Sequence, residues 1–394
     1  MRLTLLFLLL PLVCCSGPES LMHPVDIVRF PTSVVADPDG RYVYVLNSNF
    51  DLSFIGGSVS VIDTQTNRVV TSDGTGIGVG GYGGQLAIVP GADGDASGIL
   101  VTDRDNDQIT FVDIGERDDS SPPVMSCDIL GDDGFCTGYA TSSDPFGVAV
   151  KPARNGEAGH AFVTTFDGQI SIFRIGDTVT PDRSALSFLS SHAVDAGAYG
   201  MAVHPVSGVA YSTSKFANSV YTLRIADPEA NPGEQASVDV ARSLIVSNGT
   251  GGSDFGRGIA FSQNGQQLYV AYRSPPALVI IDTSIAADGS ARNEVVDAVP
   301  LASGPAAVAV APAGPAGEER VIVTMYDQDM FAVLDPAART VIHQAKIGDG
   351  PFDVTVSNGD GRLRAYVSLF EESAVSVIEL LPGASQFSEI ARIR

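Results

Sequence analysis

Few residues in this chain have the types and spacing that chemistry requires. The histidines are His23, His160, His192, His204 and His343, and no two stand at the i, i+4 spacing that turns paired imidazoles toward one metal. His204-Pro205 reads as a turn. Asp103-Arg-Asp-Asn-Asp107 begins like a calcium loop, which would then need Gly at 108 and Glu at 114. The chain has Gln108 and Ile114, so the segment reads as a solvated turn. Asp63, Asp113, Asp282 and Asp335 end strand-like runs and read as acids that accept hydrogen bonds from turn amides. The glycine run 74–84 contains Gly-x-Gly-x-x-Gly spacings but joins no strand to a helix. A loop or a closely packed outer strand is expected there rather than a phosphate cradle. No Ser lies in Gly-x-Ser-x-Gly, and no Cys-x-x-Cys-His haem attachment is present. These patterns predict no catalytic residue, no metal ligand and no cofactor.

The cysteines are more informative. Cys127 and Cys136 flank a turn-rich stretch, 128–135. Zinc needs further thiolate or imidazole ligands, and redox pairs usually read Cys-x-x-Cys, so the expected chemistry is a disulfide closing a small loop. Cys14 and Cys15 end an apolar run, Leu3 to Val13, that follows Met1-Arg2. As a helix that run spans about 16 Å, against a hydrocarbon core of about 30 Å. It reads as a secretory signal, not a membrane span. Leu12-Val13-Cys14-Cys15 resembles the lipobox of bacterial lipoproteins. The resemblance implies a diacylglycerol on Cys15, and acyl chains anchor without any transmembrane helix. Ser16 after Cys15 implies, by the sorting pattern of two-membrane bacteria, the outer membrane. An ordinary signal peptide cut nearby, giving a periplasmic or secreted protein, is the alternative.

Composition sets the class of fold that follows. With 44% hydrophobic and 18% charged residues the chain can bury a large core. Its 42 Gly and 23 Pro point to many turns and few long helices. Twenty-three basic against 46 acidic residues give a net charge of −23, which phosphate backbones repel, so no nucleic-acid partner is expected.

The chain after the leader repeats. Pro31, Gly83, Pro145, Ala198, Gly256, Pro305 and Pro351 each open an apolar strand, at intervals of 46 to 62 residues. Each is followed by a second strand, such as 42–47, 99–102 or 161–164, and a third, such as 58–63, 108–113 or 169–173. Seven units of four short strands predict an all-β fold, a seven-bladed β-propeller, because a blade cannot bury both faces alone. The expected organisation is a signal peptide over 1–15, a short tether over 16–22 and one propeller over 23–394. Pro24–Phe30 and Phe387–Ile393 compete for the strand that closes the ring, one pairing beside the other. Tyr42-Val-Tyr-Val-Leu-Asn47 followed by Ser58–Val70 resembles the YVTN-type β-propeller repeat family. That resemblance implies a propeller in the cell envelope or on its surface. It does not imply one activity, since such propellers include binding modules, lactonases and redox-enzyme subunits.

Repeat geometry places one set of loops at one end of the channel. Strand-entrance positions there are Thr32, Gly84, Phe146, Tyr199, Arg257, Ala306 and Phe352. Loop positions include Asn47, Asn49, Asp103, Arg104, Phe166, Lys215, Arg273, Tyr326 and Phe370. Guanidinium forks and aromatic rings suit anionic or sugar-like ligands. Blade packing and turn solvation are the competing reading. Asp105, Asp167, Asp327, Asp353 and Glu371 are expected at the same end, where they could hold a cation. The expected function is a lipid-tethered, non-catalytic scaffold for an envelope protein or small ligand. Its rivals are a lactonase-like hydrolase with a channel-mouth cation, and an accessory subunit of an envelope redox enzyme.

Overall fold

The computed structural model describes residues 21–91, 94–115, 121–132, 134–154, 158–176, 185–226, 237–244, 255–287 and 289–394; Cys14 and Cys15 lie outside them. Seven antiparallel sheets form a seven-bladed β-propeller. Blade 3 shows the plain pattern: Pro145–Lys151 innermost, then Gly159–Thr165, Gln169–Ile175 and Leu186–Ala193 outermost. Blades 4 to 7 repeat it, with inner strands Ala198–Val203, Gly256–Phe261, Pro305–Ala311 and Pro351–Ser357.

The second strands explain why the repeats read as continuous apolar runs. Tyr42–Asn47 and Gly159–Thr165 are buried at every position, because a neighbouring blade covers each face. Outer strands such as Thr340–Lys346 meet solvent and alternate instead. Among the described residues the hydrophobic core divides into seven clusters, each drawn from two adjacent blades. The core is a set of layers between sheets, so stability resides in the seams.

Blades 1 and 2 have split outer strands. In blade 1, Arg68–Val69 and Ile77–Val79 both pair with Gly57–Asp63. The glycine run therefore forms a closely packed outer strand. A Cβ on Gly78 would sit 2.8 Å from the Phe135 ring. In blade 2, Met125–Cys127 and Tyr139–Ala140 both pair with Gln108–Ile114. Between them, Ile129–Leu130 and Cys136–Thr137 make a small hairpin that the Cys127–Cys136 disulfide staples, with Cα atoms 5.1 Å apart.

The ring does not close by pairing its two ends. Ser388–Ile393 alone is the outermost strand of blade 7, on Ala374–Glu379, and Pro24–Phe30 forms no strand beside it. The expected pairing fails because side chains of blade 1 satisfy that segment's backbone. The Pro24 carbonyl accepts from the Ser58 hydroxyl at 2.9 Å, and the Ile27 carbonyl from Ser60 at 2.9 Å and the Asn47 amide at 3.2 Å. The Arg29 N–H donates to Asn47 Oδ1 at 2.8 Å. Val28 lies in the apolar layer between blades 7 and 1.

Candidate functional site

Every inner strand shifts register within its first four residues against the second strand of its blade. Such a bulge re-aims the residue after the strand's first position. Those residues are the seven entrance positions, and in blades 3, 4, 5 and 7 they are large: Phe146, Tyr199, Arg257 and Phe352. Phe146 and Tyr199 stack with centroids 4.1 Å apart, and Arg257 Cζ lies 4.7 Å from the Tyr199 centroid. Phe146 also meets Phe352, from the non-adjacent blade 7, at 6.4 Å. These side chains therefore converge at the axis. Phe146, Tyr199 and Arg257 are 3%, 7% and 6% exposed, so the mouth is filled with side chains there.

The loops between second and third strands build a rim around this plug. Arg104 Cζ lies 5.6 Å from the Phe146 centroid and 5.2 Å from that of Phe166. Lys215 Nζ lies 5.7 Å from Phe166 and 5.3 Å from Phe216. Phe370 packs on Phe352 at 6.0 Å, and Tyr326 meets Phe352 at 6.0 Å. Arg104 forks onto Asp144 at 2.6 and 3.2 Å, and Arg273 donates to the Pro305 carbonyl at 3.1 Å with Asp327 at 3.7 Å. Burial pushes the Tyr199 hydroxyl above its usual range, against the pull of Arg257. Tyr326 is raised by burial and by its hydrogen bond to Glu371 Oε1, 2.7 Å away.

The structure thus gathers Arg104, Phe166, Lys215, Arg273, Tyr326, Phe352 and Phe370 around a buried plug of Phe146, Tyr199 and Arg257. It gives Asn47, Asn49 and Asp103 other work. Asn47 is fully buried and ties Ile27, Arg29, Ser58 and Ser60 together. Asn49, with φ 53°, clamps Phe54 by accepting from its N–H and donating to its carbonyl. Asp103 caps its turn, accepting from the amides of Asp105 and Asn106. Burial raises its carboxyl to about 6, while those hydrogen bonds pull it back. Asp353 departs from the expected acidic ring. It accepts from Ser33 and Val34 of blade 1 at the closing seam, and the resulting enclosure raises its pKa. Among the described residues no three His, Cys, Asp or Glu side chains are grouped to hold a metal ion.

Several aromatics at this end escaped the repeat alignment. Phe50 meets Phe370 at 5.1 Å, Phe30 at 6.1 Å and Tyr82 at 6.1 Å. Phe30 and Tyr82 precede inner strands and Phe50 sits in the connection between the second and third strands of blade 1. A search for aromatics just before each strand entrance would have found two of the three.

No protein-family model matches the chain, and no curated protein matches it in sequence. Solved structures do. Sqt1 of Chaetomium thermophilum, solved bound to the N-terminus of ribosomal protein L10, is 11% identical, covers 95% of this chain and 89% of its own, and gives a TM-score of 0.60. Kuenenia stuttgartiensis hydrazine synthase is 17% identical over 89% of this chain and 96% of that one, with a TM-score of 0.58. A proposed 6-phosphogluconolactonase from Bacteroides fragilis is 18% identical over 82% of this chain and 86% of that one, at 0.57. At these identities the likeness establishes the fold alone.

Proposed function

We propose that this protein is a lipid-tethered propeller of the bacterial cell envelope, of the YVTN type, that binds an anionic or carbohydrate-bearing partner through the mouth described above. One observation carries the reading. In a chain of net charge −23, four of the 23 basic residues, Arg104, Lys215, Arg257 and Arg273, converge with stacked aromatic rings at one end of the channel. Rings fix cations in place and present their edges, which suits recognition of a carboxylate, phosphate or sugar. Cys15 is the residue that would carry the lipid, and the outer membrane is the proposed address.

The hydrolase reading asks the mouth acids to converge. Asp167 accepts from Ser143 and Thr165, Asp327 faces Arg273 and Ser303, and Glu371 accepts from Tyr326, each within its own stretch of rim. The scaffold reading is tested by affinity capture from native envelopes in gentle detergent, comparing the wild type with a Lys215→Glu, Arg257→Gln double variant. A partner captured by the first and lost by the second, at unchanged fold, is the expected result. Turnover of a substrate, abolished by the same two changes, would overturn it in favour of an enzyme.

A further inference from the structure

The connection between the second and third strands of blade 1, residues 48–56, is the longest of its kind at the mouth; its counterparts are 104–107, 166–168, 215–219, 274–275, 326–329 and 370–373. Three of its residues are apolar and turned outward, interleaved with the exposed Asp51 and Ser53. Phe50, Leu52 and Ile55 are 54%, 64% and 36% exposed, and Leu21 and Met22, brought alongside, are 63% and 48% exposed. Single exposed apolar side chains are ordinary, but five gathered on one lip are not.

The lip is built rather than loose. The Ile55 N–H donates to the Leu21 carbonyl at 2.9 Å, Met22 bridges to Ile55, and the Asn49 clamp fixes Phe54. Leu52 is held at φ 55°, a conformation rare for a bulky side chain that persists only where the surrounding structure fixes it. The acid inside the loop, Asp51, accepts from the Ser53 hydroxyl at 2.6 Å and is paired with Arg29, and these partners hold its carboxyl below the usual range against the effect of burial.

Cys15 and Leu21 are six residues apart, so the fully extended chain between them spans about 21 Å. A lipid on Cys15 would therefore keep this lip close to the bilayer. The net charge of −23 offers no general attraction to anionic headgroups, so contact there must be apolar. We propose that Leu21, Met22, Phe50, Leu52 and Ile55 form a membrane-contacting lip that enters the interfacial layer of a phospholipid bilayer. The inference rests on the lipid-anchor reading. It sets the propeller with the blade 1 side of its mouth against the lipid, so the cationic sector of blades 4 and 5 stands off the surface.

The chain contains no tryptophan, which allows a clean test. Full-length protein, processed and lipidated in a bacterial host, is reconstituted into phosphatidylcholine vesicles with brominated acyl chains. It carries Leu52→Trp or, as control, Val206→Trp, at a 76% exposed turn on the opposite end of the ring. Bromine is expected to quench Leu52→Trp severalfold more than Val206→Trp, with Phe50→Trp as a second reporter if the first misfolds. Protein that does not float with vesicles overturns the lipid anchor and this orientation with it. Protein that floats with equal or no quenching at the two sites overturns the orientation alone. A Leu52→Trp unquenched by lipid but shielded from aqueous iodide by added envelope protein makes the lip a protein-docking surface, and the lipid assignment falls.

Discussion

Between blades 3 and 4 the inner polar fastener among the described residues is a threonine, with Arg154 also reaching the Pro205 carbonyl at 2.9 Å. Thr164 donates to the Tyr199 carbonyl of the next blade at 2.7 Å and accepts from its own Gly147 N–H at 2.8 Å. Thr102 and Thr213 repeat the device, onto the Phe146 and Arg257 carbonyls at 2.8 and 2.7 Å. Between blades 7 and 1 the arrangement differs. Ser33 and Val34 donate to Asp353 at 2.7 and 3.1 Å, the Ala36 N–H to Thr355 at 3.0 Å, and Ser357 to the Gly40 carbonyl at 2.6 Å. Farther out, Arg364 donates to the Thr64 carbonyl at 2.7 Å and the Tyr366 hydroxyl to Asn67 at 2.9 Å.

Chain separation accounts for the contrast. Thr164 and Tyr199 are 35 residues apart, whereas Ser33 and Asp353 are 320 apart. Closing the longer loop costs about 2 kcal/mol more, and a net hydrogen bond contributes about 1 kcal/mol. Two or more additional bonds therefore offset the difference, and the closing seam has them. Ser33 also accepts from the Leu86 N–H at 3.1 Å, so one hydroxyl links blades 7, 1 and 2.

The contrast can be broken at its strongest point first. Asp353→Ala strands the Ser33 hydroxyl and Val34 N–H and is expected to lower unfolding free energy by about 3 kcal/mol, read from urea midpoints. Asp353→Asn keeps an acceptor without the enclosed charge and is expected to stay near wild type at neutral pH. An equal loss in both variants would show that charge, not hydrogen bonding, fastens the seam.

Asp103 gives the pH test. Its folded-state pKa, about 6, lies above the ordinary carboxylate value, so its proton is held more tightly in the folded chain. Its contribution is then fullest below about pH 4 and is lost as pH rises to about 6, on the order of 3 kcal/mol. Asp103→Asn should flatten that slope in urea midpoints taken across the window, and an unchanged slope would assign the effect elsewhere. Thr164→Val, at an ordinary seam, should cost about 1 kcal/mol, clearly less than Asp353→Ala. Arg339→Ala, which removes an exposed pair with Asp297 at 3.7 Å, should change thermal stability by less than about 0.5 kcal/mol.

The seven units were legible because each second strand, packed between neighbouring blades, reads as an apolar run that follows an apolar inner strand at a near-regular interval. The disulfide was legible because its two cysteines stand alone in a turn-rich stretch. The manner of closure was not, since nothing local marks Asp353 or Thr355 as partners of residues some 320 positions earlier. Asn47, Asn49 and Asp103 misled for a different reason. Amides and acids at strand ends serve turn backbones as readily as ligands, and only the partner atoms decide. The apolar lip carried no periodic signal, because its residues lie in one loop and owe their exposure to a backbone path.

Each described sheet is drawn from one unbroken stretch of chain, so no blade waits for a strand supplied from the far terminus. Synthesis from the amino end can therefore complete sheets one at a time, laying each against its predecessor. Only blade 1 must keep an open flank until the last sheet arrives, and Val34, Val43 and Val45, which line that flank, are the surface a nascent chain would most need shielded.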